Sequence, residues 1–153
     1  MLHWNGVAWE TVRSLVAPHW GFSMLSPSSG WIAIGRAECS QERPRYAPPC
    51  SNSGAVGYWN GTIWTSQFFT EEYGINDIQA IGPELVWSVG YANYLDSAVY
   101  AFRLISYLSR WDGQAWAVVS TLPDTELSLL SVVGRNDVWA SDRGATIYHY
   151  PAP

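Results

Sequence analysis

Apolar positions in this chain fall into short runs that recur in step. FSML (Phe22 to Leu25), DIQAI (Asp77 to Ile81) and LLSVV (Leu129 to Val133) each precede a turn carrying Gly, Pro, Ser or Asn. A second run follows each of them: GWIAIG (Gly30 to Gly35), VWSVG (Val86 to Gly90) and VWASD (Val138 to Asp142). Apolar runs this short, bounded by turn residues, predict strands. A third pattern keeps the same phase, as WNGVAW (Trp4 to Trp9), WNGTIW (Trp59 to Trp64) and WDGQAW (Trp111 to Trp116), at spacings of 55 and 52 residues. Asn-Gly or Asp-Gly between aromatic or β-branched runs predicts a hairpin, read here as a type I′ turn with positive φ at both central residues. Each repeat thus has four strands: two from the apolar runs, one entering the hairpin and one leaving it.

Four short antiparallel strands in 50-odd residues make the unit of a β-propeller blade. The expected fold class is all-β, built of such blades, with three repeats per chain and one blade split between the termini. The chain reads as a single propeller-repeat domain over 1–153. Residues 1–17 supply the last strand of the split blade, 18–70 and 71–122 are whole blades, and 123–153 supply the first three strands of the split one. Trp31, Trp87 and Trp139 then fill the space between neighbouring blades. Two insertions interrupt the pattern, one around Cys39 and Cys50, the other at Tyr91 to Asp96 with the run SAVYAFRLISYLSRW. That run alternates as a long strand does, and periodicity alone leaves a short helix open.

The final repeat, VWASDRGATIYHY (Val138 to Tyr150), together with the WDGQAW hairpin, resembles the tryptophan-rich propeller repeats of bacterial secreted or surface proteins. Those look related to Asp-box and photosystem-assembly-factor propellers. The resemblance spans the chain and implies a scaffold and an extracellular setting, not an activity. Asp142, Gly144 and Thr146 match an Asp box, while Ala140 and Ile147 replace its first and last members, leaving a turn-stabilising remnant.

Composition agrees: ten Trp, nine Tyr, thirteen Gly and nine Pro favour strands and tight turns over helices. Net charge is −5, and the scattered Arg form no stripe that could follow a phosphate backbone, so nucleic acid is not an expected partner. No run approaches the roughly 18 apolar residues of a membrane span, and the first ten residues lack the pattern of a signal peptide. Cys39 and Cys50 enclose the polar, Pro-rich SQERPRYAPP. A disulfide between them would contribute about 2–3 kcal/mol by loop entropy and would imply an oxidising, extracytoplasmic location. Two free thiols in a cytosolic protein are the alternative.

Little in the chain carries chemistry. His3 and His149 hold equivalent repeat positions on a strand surface, and Glu71, Glu72, Asp77, Glu84 and Asp96 show no acid–base spacing. No phosphate loop, nucleophile elbow or metal-ligand cluster is present, so no enzyme activity, cofactor or metal is expected. Three blades do not close a ring, and exposed blade faces and strand edges need covering. The expected function is an extracellular structural or interaction module that self-assembles by strand complementation into a six-bladed ring of two copies or a filament, the third possibility being a piece of a longer propeller whose other blades lie elsewhere. The alternative is a lectin-like propeller whose aromatic residues stack on sugars. Expected partners are other copies of the chain and, on the alternative, glycans; the expected assembly residues are Trp4, Trp9, Ile147 and Tyr148 of the split blade.

Overall fold

The computed structural model describes residues 2–11, 19–38, 51–96, 98–99 and 101–150. Among these every regular element is a strand, in line with the β-branched, aromatic and glycine content. In chain order the strands are β1 (Leu2–Trp4), β2 (Trp9–Thr11), β3 (His19–Ser26), β4 (Ser29–Glu38), β5 (Ser51–Trp59), β6 (Trp64–Thr70) and β7 (Gly74–Gly82). They continue as β8 (Leu85–Asp96), β9 (Ala101–Trp111), β10 (Trp116–Pro123), β11 (Leu127–Gly134), β12 (Asp137–Asp142) and β13 (Ile147–Tyr150). All pairing is antiparallel between strands adjacent in sequence. The result is a first sheet β3-β4-β5-β6, a second sheet β7-β8-β9-β10, a three-stranded third sheet β11-β12-β13, and the hairpin β1-β2.

The repeat seen in sequence is also a repeat of backbone geometry. Ser23 lies opposite Trp31, Gln79 opposite Trp87 and Ser131 opposite Trp139, fixing which positions correspond. On that correspondence β3, β7 and β11 share their register slips: one at His19/Gly21, Ile75/Asp77 and Leu127/Leu129, another at Met24/Ser26, Ala80/Gly82 and Val132/Gly134. The run SAVYAFRLISYLSRW resolves as strand over β9, because β8 and β10 pair with it on both sides. The second insertion therefore only lengthens a hairpin, with Asp96 opposite Ala101. The first insertion, with Cys39 and Cys50, lies outside the described residues.

The WNGxxW hairpins form as expected, with Trp4 opposite Trp9, Trp59 opposite Trp64 and Trp111 opposite Trp116, but the turn is not type I′. Within these loops positive φ occurs only at Gly6, Gly61 and Gly113, and the paired tryptophans leave a loop of four residues rather than two. Its first residue closes it from both sides. The backbone N–H groups of Asn5, Asn60 and Asp112 donate to the carbonyls of Ala8, Ile63 and Ala115 at 3.1–3.3 Å. Their side-chain oxygens accept the next two free N–H groups, at 2.9–3.0 Å. This is how Asn and Asp substitute for a backbone turn.

The Asp142 turn works the same way, its Oδ1 accepting from the N–H of Gly144 and of Thr146 at 2.8 and 2.9 Å. Backbone donors hold both carboxyls below the usual range, that of Ala115 chiefly for Asp112 and that of Thr146 chiefly for Asp142. Their support is therefore present above the ordinary carboxylate range and lost as pH falls through the lowered values.

Two apolar layers hold the sheets together. Trp31, Ala33 and Val56 of the first sheet pack with Ile75, Ile78, Ala80 and Val86 of the second. Trp87, Val89 and Leu108 on the opposite face of the second sheet pack with Leu127, Val132, Val138 and Ala140 of the third. Strict alternation lets one sheet feed both layers: Val86 points into the first layer and Trp87 into the second. The second sheet thus lies between the other two, with β7 meeting β3 and β4 across the first junction and β11 meeting β7 and β8 across the second.

Candidate functional site

The chemistry of this chain concentrates at the sheet junctions. At the first, Ser23 Oγ on β3 accepts a hydrogen bond from the backbone N–H of Ala80 on β7 at 3.0 Å. At the second, Gln79 Oε1 on β7 accepts from the N–H of Val132 on β11 at 2.7 Å. Ser23 corresponds to Gln79 and Ala80 to Val132, so both junctions use one bond at one place. An inner edge strand has free N–H groups, and the neighbouring sheet's side chain satisfies one of them, each bond adding about 0.5–1.5 kcal/mol.

The second junction carries two further polar ties. Asn76 Nδ2 donates to the Leu127 carbonyl at 2.7 Å. Asp77 accepts from the Leu130 N–H through Oδ2 and from the Ile78 N–H through Oδ1, both at 2.9 Å. Burial raises the Asp77 carboxyl above its ordinary value despite these two donors. A carboxyl that keeps its proton to higher pH when folded stabilises most in acid, and that contribution falls as pH rises from 3.8 through the raised value. Urea denaturation across that window is expected to show the stability difference, wild type minus Asp77→Asn, shrinking as pH rises. A difference that grows instead would mean that the fold favours the ionised carboxylate.

Each second strand carries a tryptophan opposite a flat or cationic partner on the third. Trp31 lies on Tyr58 with ring centroids 5.0 Å apart, the Arg110 guanidinium sits 5.5 Å over Trp87, and Trp139 stacks on His149 at 4.2 Å. His149 Nε2 is held in turn by Asp137 Oδ1 at 2.9 Å. The next sheet then covers the first two tryptophans. Trp111 and Trp116 close on Trp31 at 5.8 and 6.0 Å, and Tyr150 closes on Trp87 at 5.7 Å. Trp31 and Trp87 are consequently 3% and 0% exposed, whereas Trp139 is 41% exposed. Leu129 and Val133 of β11 and Ile147 of β13 are exposed as well.

The first sheet ends in an uncovered face of the opposite kind. Phe22 corresponds to Ile78, yet it is 55% exposed where Ile78 is 2% exposed. Met24 is exposed too, while its counterparts Ala80 and Val132 are buried. The β1-β2 hairpin borders this face across a cavity of about 530 Å³ walled by Trp4, Trp9, Phe22, Met24, Trp59 and Trp64. Its tryptophans pair across each hairpin, Trp4 with Trp9 at 5.7 Å and Trp59 with Trp64 at 5.5 Å.

The structure sets the four expected assembly residues at two separate places. Trp4 and Trp9 are exposed on β1-β2, and Ile147 is exposed on β13. Tyr148 packs against the inner layer and donates its hydroxyl to Asp142 Oδ2 at 3.2 Å. Reasoning from sequence missed Trp139 and Phe22 as uncovered positions and Ser23, Asp77 and Gln79 as junction residues. No group of His, Cys, Asp and Glu suited to a metal ion occurs among the described residues, and no helix among them is long and apolar enough to cross a membrane. No family model, curated protein or solved structure matches this chain.

Proposed function

We propose that the chain is a run of propeller blades that acts as a non-catalytic assembly module, its partner being another copy of itself. One observation carries the reading: Trp139 is 41% exposed at the repeat position where Trp31 and Trp87 are 3% and 0% exposed. A face built to be covered at two junctions is bare at the third, beside the exposed Leu129, Val133 and Ile147. Contiguous exposed apolar side chains mark interaction surfaces. Among the described residues the third strands β5 and β9 are each paired on both edges, whereas β13 is paired only to β12. In this reading β2 of a second copy, the counterpart of β6 and β10, completes β13, and the blades span 18–70 and 71–122 with the third split between copies. Two copies closing a ring or many extending a filament both satisfy the same contacts.

A bridge between Cys39 and Cys50, which lie outside the described residues, would go with an extracellular setting. The sequence neighbours of the two cysteines, Glu38 and Ser51, lie directly opposite each other across β4 and β5. The carbohydrate-binding reading stands second, on the aromatic walls of the β1-β2 cavity. Sugar recognition also needs convergent hydrogen-bonding side chains, and apart from the indole N–H donors of its tryptophans the cavity is walled by the polar side chains of His3 and Ser26 alone among the described residues. The test of the assembly reading is particle mass in solution: a whole multiple of the 17.1 kDa chain supports it, and a monomer contradicts it.

A further inference from the structure

Each junction inside the chain joins two unlike faces. The giving face carries Ser23 and Trp31 at the first junction and Gln79 and Trp87 at the second. The receiving face carries Ile78, Ala80 and Val86 at the first and Leu130, Val132 and Val138 at the second. One face of each kind is left over. The giving face of the third sheet presents Ser131 and Trp139, and the receiving face of the first sheet presents Phe22 and Met24. Ser131, the counterpart of Ser23 and Gln79, is exposed and makes no side-chain hydrogen bond among the described residues.

We infer that copies of this chain join head to tail, the Trp139 face of one seating on the Phe22 face of the next, with Ser131 Oγ accepting from the backbone N–H of Met24 in the second copy. This rests on the self-assembly reading and adds its polarity and register. The occupant follows from repetition, because what covers Trp31 and Trp87 is a β7- or β11-type strand with an apolar residue at the position of Phe22. The only uncovered face of that type among the described residues is on β3. Two Trp139 faces against each other would leave both Ser131 hydroxyls without the backbone N–H that their counterparts Ser23 and Gln79 accept at the inner junctions. The contact is therefore heterologous, joining different surfaces of the two copies.

The experiment uses complementary damage. Trp139→Glu destroys the giving face and keeps the receiving one, and Phe22→Glu does the reverse; Leu129→Arg replaces Trp139→Glu should that variant fail to give a cooperative thermal melt. Light scattering of each variant alone is expected to give the 17.1 kDa monomer, with association at least tenfold weaker than for the wild type. An equimolar mixture is expected to give a one-to-one pair, since one intact face of each kind remains. Either variant associating alone as the wild type does, or a mixture that stays monomeric, overturns the head-to-tail register while leaving self-assembly standing. A monomeric wild type overturns both.

Discussion

Trp87→Ala is expected to lower stability by about 3–5 kcal/mol, the range for truncating a fully buried large aromatic, and Tm by roughly 6–20 °C for a chain of this size. The cost arises because Trp87 is the centre of the second apolar layer, touched by Tyr150 from the third sheet and covered on its own sheet by Arg110. Removing it leaves a cavity between two sheets whose backbones are held by Gln79 and Asp77, so the gap cannot readily collapse. Trp139→Ala, the same change at the same repeat position, serves as the internal comparison. In the dissociated chain its ring loses chiefly the stack on His149, worth about 0.5–1.5 kcal/mol. Chemical denaturation at low protein concentration measures both; equal costs for the two variants would contradict the assignment of Trp87 to a covered junction and Trp139 to an open one.

Gly90→Ala is expected to be at least as damaging. A Cβ at position 90 would stand 1.8 Å from the Gly74 carbonyl oxygen and 3.0 Å from the Ile75 Cα. Both are backbone atoms of β7 beside its register slip, so no side-chain rotation relieves the overlap. The second sheet would have to open at the strand that meets both neighbours. A loss above about 3 kcal/mol, the upper end of ordinary overpacking, is expected, with little folded protein recovered. Gly82→Ala is the control, since a Cβ there meets nothing within 4 Å. A Gly90→Ala protein that melts like the Gly82→Ala protein would show that β7 and β8 do not approach as described.

The repeat was legible in sequence because its signals are local. Apolar runs, Asn-Gly or Asp-Gly pairs and flanking tryptophans each act within a few residues, and all three recur in step. The turn type was not, because two residues beyond Gly belong to the loop and the Asn or Asp side chain does the closing. Junction chemistry was further out of reach. The position shared by Ser23, Gln79 and Ser131 holds two residue types, and that of Gly21, Asp77 and Leu129 holds three. Their hydrogen bonds join strands more than 50 residues apart, which no local pattern records. Nor do Trp31, Trp87 and Trp139 differ in local pattern in the way they differ in exposure: each follows an apolar run and a turn, and only the presence of a following sheet separates them.

That exposure difference is the root of the assembly proposal, and particle mass by light scattering over a dilution series tests it most directly. A mass at a whole multiple of 17.1 kDa that falls toward the monomer on dilution, and does so at higher concentration for Trp139→Ala, is the expected result. A wild-type chain that stays monomeric at every concentration while remaining folded would mean that the bare Trp139 face has no second copy to cover it.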